Sequence, residues 1–187
     1  SKIFDKYTGK DIWITPVFHI SKALAYTENI SELWYAPAGF KRATVDNIKE
    51  LRYNPRLEER DLLYLNQINP IIRFNSGTVI WGQLTALKQP SALQDLSIVR
   101  LCLYIDRALK EYCMNYIFEP NDENPQESVN RDITQFLENI KMRRGLYNYT
   151  VEVGATDLEK KNKTLHVHVV LEPTRIIEKI DLVFTIS

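Results

Sequence analysis

Apolar and polar positions alternate strictly towards the C-terminal end of the chain. Ile180, Leu182, Phe184 and Ile186 share one parity, against Lys179, Asp181, Thr185 and Ser187 on the other. Alternation with period two places successive side chains on opposite faces of a strand, so 176–187 reads as a half-buried β-strand. Chain ends fray unless something ties them down. A strand so strongly patterned at an end needs a sheet to join, in this molecule or in a neighbour.

Upstream, the period changes from two to that of a helix. Ile98, Leu101, Cys102, Ile105, Leu109, Tyr112, Cys113 and Tyr116 form one apolar stripe, which predicts a long helix over 95–117. Asn124-Pro125 reads as a cap followed by proline at the first helical position, opening a helix over 126–143 with Val129, Ile133, Phe136, Leu137 and Ile140 inward. Gly145 after Arg143-Arg144 is a fitting stop, with cations at the negative end of the helix dipole. Asn54-Pro55 repeats the cap-and-proline device before a helix over 56–67, whose apolar face is expected to hold Leu57, Leu62 and Leu65.

Short strands are expected at 71–74 and 79–84 around Asn75-Ser76-Gly77, and at 147–153 and 164–171. Gly82, after Trp81, predicts a bulge or a close approach by another group. Residues 1–45 carry little periodicity and are expected to be irregular, with a short strand interrupted at Pro16, as the end of a region that continues upstream. Residues 46–187 are then the principal domain. Helix, hairpin, two helices and strands, in that order, define an α+β fold: a small, mostly antiparallel sheet packed with two or three helices.

Composition narrows the function. The 187 residues include 24 Lys+Arg and 24 Asp+Glu, a formal charge of zero. That speaks against nucleic acid as a partner, since phosphate binding draws on a basic excess. It also removes long-range repulsion between copies of the chain. No apolar run approaches a membrane span, and Ser1–Asp5 reads as mid-chain material rather than a signal peptide. Cys102 and Cys113, eleven positions apart on one helix, are too distant for a disulfide and read as small buried apolar residues.

Candidate chemistry is sparse. His166 and His168 stand two apart on a strand, hence on one face, and are a possible pair of metal ligands with His19 or a carboxylate as a third. The competing reading is a polar strand face with Leu165, Val167 and Val169 buried opposite. No phosphate-binding loop, nucleophile elbow, HExxH or CxxC is present, so no cofactor and no enzyme activity are expected. Glu119, Asp122, Glu123 and Glu127 are acidic at the start of the second long helix, while Lys141, Arg143 and Arg144 are basic at its end. This reads as dipole complementation or as a charged docking surface.

An ordered set of short pieces resembles the C-terminal region of contractile phage tail sheath proteins. They are Pro37-Ala38-Gly39, Leu65-Asn66-Gln67-Ile68-Asn69, Val79-Ile80-Trp81-Gly82 with Thr85, the helix bearing Arg100, Phe118-Glu119-Pro120-Asn121-Asp122, Gly145 and Ile180-Asp181-Leu182-Val183-Phe184. Two places depart from the family pattern: Leu84 stands where an arginine is common, and the segment after Asn121 lacks a tryptophan.

The resemblance implies a structural protein of the virion, assembled in the host bacterial cytoplasm. Subunits polymerise around an inner tail tube through donated arms, with baseplate and tail terminator as further partners and neither nucleic acid nor membrane. Contraction then drives the tube through the host envelope. A phage-derived bacteriocin or other contractile injection system would share the module. Carried over by position, Ile176, Ile177, Ile180, Leu182, Phe184 and Ile186 belong to the donated arm, a strand suited to inter-subunit β-augmentation. Tyr147, Tyr149, Val151, Val153, Leu165, Val167 and Val169 belong to the acceptor hairpin. Asp122, Glu123, Asn124, Glu127, Asn130 and Arg131 approach the tube. The family's N-terminal arm and outer domains would lie upstream of Ser1.

Overall fold

The computed structural model describes residues 1–178; the expected arm residues Ile180, Leu182, Phe184 and Ile186 lie outside the described residues. The fold is α+β, with the strands in three small antiparallel sheets rather than one. The chain forms two compact units, Ser1–Lys110 and Glu111–Ser187.

In the first unit, β1 (Lys2–Asp5) pairs with β2 (Lys10–Trp13) and with β3 (Ile48–Glu50). Between β2 and β3 lie α1 (Val17–Ile30) and the single turn α2 (Gly39–Arg42). Residues 1–45 are therefore regular, contrary to expectation. Pro16 interrupts no strand; it is the N-cap of α1, where its missing N–H costs nothing. α3 (Leu57–Leu65) follows, then the hairpin of β4 (Ile71–Phe74) and β5 (Gly77–Ile80), a 3-10 turn at Ala92–Gln94 and the start of α4 (Leu96–Met114). Ala23, Ala43, Val45 and Ile80 form a buried cluster, with Ile48 and Ile71 packed against it.

Two expectations in this unit are corrected. Asn54 does not cap α3; its side chain pairs with both backbone groups of Arg73, and Arg56 occupies the cap. The α3 leucines are not buried: Leu57, Leu62 and Leu65 are all exposed, while Leu63 and Gln67 lie on the sheltered side. Periodicity identifies which residues share a helix face, not which face is covered.

The second unit holds the last turn of α4, α5 (Glu123–Met142), β6 (Leu146–Gly154), α6 (Asp157–Lys161) and β7 (His166–Pro173). Val129, Ile133, Leu137 and Ile140 of α5 are fully buried, the 4-4-3 spacing that keeps one stripe inward. The Tyr112 ring packs on Phe136 with centroids 5.5 Å apart.

α5 starts earlier than expected because Asp122, not Asn124, caps it: the Asp122 carboxylate accepts the Asn124 N–H at 3.1 Å. Pro125 then falls at the third helical position, still among the N–H groups that lack an intrahelical partner. At the other end the Gly145 N–H donates to the Ile140 carbonyl at 2.9 Å, and the Arg144 N–H to Lys141 at 3.0 Å. This is a Schellman stop. The left-handed position belongs to Arg144, φ 64°, and not to the glycine.

A hairpin with two open edges

Strands β6 and β7 pair antiparallel in the register Tyr149–Leu171, Val151–Val169 and Val153–Val167. Those six side chains share the half-buried face of the hairpin, and α5 packs against β6. Thr150, Glu152, His166, His168 and Val170 point the other way and are exposed. Among the described residues no third strand pairs with either member, so both outer edges present unpaired backbone groups. A two-stranded sheet is marginal alone, and here a helix supports one face of it.

Tyr149 ties this face to α5. Its hydroxyl donates to Glu138 Oε2 at 2.7 Å and lies 3.3 Å from the Thr134 carbonyl. Desolvation, reinforced by the Glu138 carboxylate, pushes the Tyr149 pKa up to about 12. The Lys141 ammonium stands 5.6 Å from the ring centroid, over its face.

Of the residues expected in the acceptor hairpin, Tyr149, Val151, Val153, Val167 and Val169 share the half-buried face, and Leu165 is half-buried just before β7. Tyr147 does not join them. The register shifts between Leu146 and Asn148, turning Leu146 into the core and leaving Tyr147 76% exposed. A bulge adds one residue to one strand and breaks the parity argument on its far side. Strict alternation therefore missed Leu146.

Beyond Pro173 the chain leaves the sheet. The Thr174 N–H donates to the Gly145 carbonyl at 3.2 Å; Ile176 is half-buried and Ile177 exposed.

The six residues assigned towards a tube, Asp122, Glu123, Asn124, Glu127, Asn130 and Arg131, are all exposed over the first turns of α5. Asn130 lines an open groove with residues 151–154 of β6 and with His166 and His168. Asn121 anchors this end: its amide donates to the Thr164 carbonyl at 2.9 Å and accepts from Gln126 at 3.0 Å. It thus fixes the turn before α5 to the entry of β7. The Phe-Glu-Pro-Asn run marked this turn, but nothing in the sequence named Thr164 as the partner.

The two strand histidines pair with different carboxylates. His166 Nε2 is 3.1 Å from Glu159 Oε1, and His168 Nδ1 is 3.8 Å from Glu152 Oε2. The Glu159 pKa is lowered, first by the Thr156 backbone N–H and then by the Thr156 hydroxyl, with His166 adding a smaller part. His19 belongs to the first unit, where its Nε2 lies 2.8 Å from the Ser1 hydroxyl. Among the described residues no three His, Cys, Asp or Glu side chains converge in a metal-binding group. Burial raises the thiol pKa of both Cys102 and Cys113, which suppresses the thiolate.

A helix-backed hairpin with open edges is the equipment of a protein that associates through its backbone. The chain belongs to the phage tail sheath C-terminal domain family, whose model matches residues 88–187. It is 32% identical over 155 residues to the tail sheath protein of Vibrio phage KVP40 and 29% identical over 155 residues to that of Enterobacteria phage T4. Each alignment covers 82% of this chain but only 23% and 24% of those relatives, so the chain spans about a quarter of their length. Among solved structures it resembles the contracted sheath complex of an extracellular contractile injection system, with TM-score 0.83, 26% identity, and 95% of this chain and 52% of that chain covered. The contracted helical sheath of the anti-feeding prophage shares the fold, with TM-score 0.86 at 22% identity, over 98% of this chain and 53% of that one.

Proposed function

We propose that this chain is the C-terminal part of a contractile tail sheath subunit, a non-catalytic element of a phage virion assembled in the host bacterial cytoplasm. It polymerises with other copies of itself around an inner tail tube, and contraction of the polymer drives the tube through the host envelope. The observation that carries the reading is the hairpin: β6 and β7 are backed by α5 on one face, and both outer edges are unpaired among the described residues.

Strand addition at such an edge supplies main-chain hydrogen bonds, with alternate side chains giving specificity. The donated arm is 176–187 of another copy, placing Ile180, Leu182, Phe184 and Ile186 on the α5 side, beside Val151 and Val169. Burying those four side chains does not by itself outweigh the ordering of the arm's backbone. The added ladder and the repetition of the contact along a polymer tip the balance. Asp122, Glu123, Asn124, Glu127, Asn130 and Arg131 face the tube, and the baseplate and tail terminator bound the polymer at its ends.

Electron microscopy of the full-length protein tests the assembly: tubes are expected, and a monomer that persists at high concentration would count against it. Likeness to a non-phage injection-system sheath favours a second setting, a contractile injection machine other than a phage, with the same mechanics.

A further inference from the structure

Phe118 is fully exposed, at 102% of its reference area, and sits at φ 79°, a left-handed conformation that a bulky residue adopts only under constraint. The constraint is visible. Backbone bonds run from Tyr116 to Cys113, from Ile117 to Met114 and from Glu119 to Tyr116, so the turn holds Phe118 outward from both sides. Met114 and Ile117 are exposed beside it, giving three large apolar side chains on one prominence. Every charged side chain between residues 111 and 130 is acidic; Glu111 and Glu119 flank the prominence, and no Lys or Arg occurs in that span.

The far end of α5, about 30 Å away at 1.5 Å per residue, is its electrostatic opposite. Between residues 139 and 151 stand Lys141, Arg143 and Arg144 and no carboxylate. Met142 and Tyr147 are exposed among them, the latter turned outward by the bulge in β6. The second unit therefore has an acidic apolar pole and a basic apolar pole.

We propose that these poles bind each other between copies of the chain: the Phe118 prominence of one copy seats on the Met142–Tyr147 pole of the next. The partner is thus a second copy, specified by charge complementarity. Guanidinium groups of Arg143 and Arg144 have the face of Phe118 to stack on, and the Met142 thioether suits an aromatic edge. Glu111 and Glu119 supply the opposing charges. Such a contact is head-to-tail, so it propagates into rings or helical strands rather than closing as a dimer. It uses neither hairpin edge nor residues 179–187, does not rest on the strand-exchange reading, and leaves the exposed start of α5 free.

A charge exchange in the full chain tests it, read by sedimentation velocity at low ionic strength in a Leu182→Asp/Phe184→Asp background that removes strand exchange. Glu111→Lys/Glu119→Lys and Arg143→Glu/Arg144→Glu should each weaken self-association roughly tenfold or more, because two attractive pairs become repulsive. The quadruple variant, with both poles reversed, should recover it. Phe118→Ala should weaken association without moving the melting temperature. High salt should dissolve the contact in the parent. Unchanged association in either reversed pair, or loss without recovery in the quadruple variant, overturns the proposal. An arm variant that assembles like the parent would instead contradict strand exchange, leaving the charge exchange to be read separately.

Discussion

Tyr149 and Glu138 bolt the hairpin to its helix: the phenol donates to the carboxylate at 2.7 Å, from the half-buried face of β6 to α5. The bond keeps the phenol protonated well above its usual range, up to about 12. A raised folded-state pKa is a stabilising contribution that is complete below the unfolded value of about 10 and is lost as pH climbs through the folded one. Stability of the second unit should hold up to about pH 10 and fall between 10 and about 12. Tyr149→Phe should remove that fall and cost about 1 kcal/mol at neutral pH, given the partial exposure of the pair. Ultraviolet titration of tyrosinate and melting curves across pH measure both.

The side chain of Asn69 mimics a strand. Its amide donates to the Leu84 carbonyl at 2.7 Å and accepts the Leu84 N–H at 2.8 Å. A Cβ on Gly82, at φ 140°, would come within 2.6 Å of Asn69 Oδ1. Asn69→Ala leaves two half-sheltered backbone groups unpaired and should cost about 2 kcal/mol. Gly82→Ala should cost at least as much, since strain at the positive φ adds to the clash. Chemical denaturation of the two variants gives the comparison.

The stop of α5 carries an avoidable strain. Arg144 occupies the left-handed position that glycine fills at lowest cost, while Gly145 stands one place too late to relieve it. Arg144→Gly should raise stability by about 1 kcal/mol, as thermal melts of the two proteins would record. A fall in stability would show that the arginine side chain contributes more than its backbone costs.

Much of the second unit was legible because its signals are local. Val129, Ile133, Leu137 and Ile140 recur at helical spacing, and the structure buries all four. The alternation over 149–153 and 167–171 predicts the hairpin face. What escaped depends on partners distant in sequence. Leu57, Leu62 and Leu65 look like a core stripe, yet the covered side of α3 is the one bearing Leu63 and Gln67. Asn54 has the chemistry of a cap but is held by Arg73, 19 residues on. Tyr147 shares parity with Tyr149 until one bulge reverses it. Pro16 can end a strand or open a helix, and the short apolar run on either side of it does not decide between them.

That contrast is measurable. Leu137→Ala and Ile133→Ala empty fully buried positions and should cost about 2–5 kcal/mol each. Leu65→Ala, on a residue 73% exposed, should change stability by less than about 0.5 kcal/mol in the isolated chain. A large loss at Leu65 would mean that the α3 leucines are covered after all.

The central claim is that the C-terminal strand is completed by the hairpin of another copy. Amide hydrogen exchange of residues 180–186, followed with concentration from a dilute chain to the assembled polymer, tests it most directly. The account predicts protection that appears on assembly, together with new protection along an outer edge of β6 or β7, and that is lost in Leu182→Asp/Phe184→Asp. Full protection of 180–186 in a dilute monomer, or none in the polymer, would contradict it.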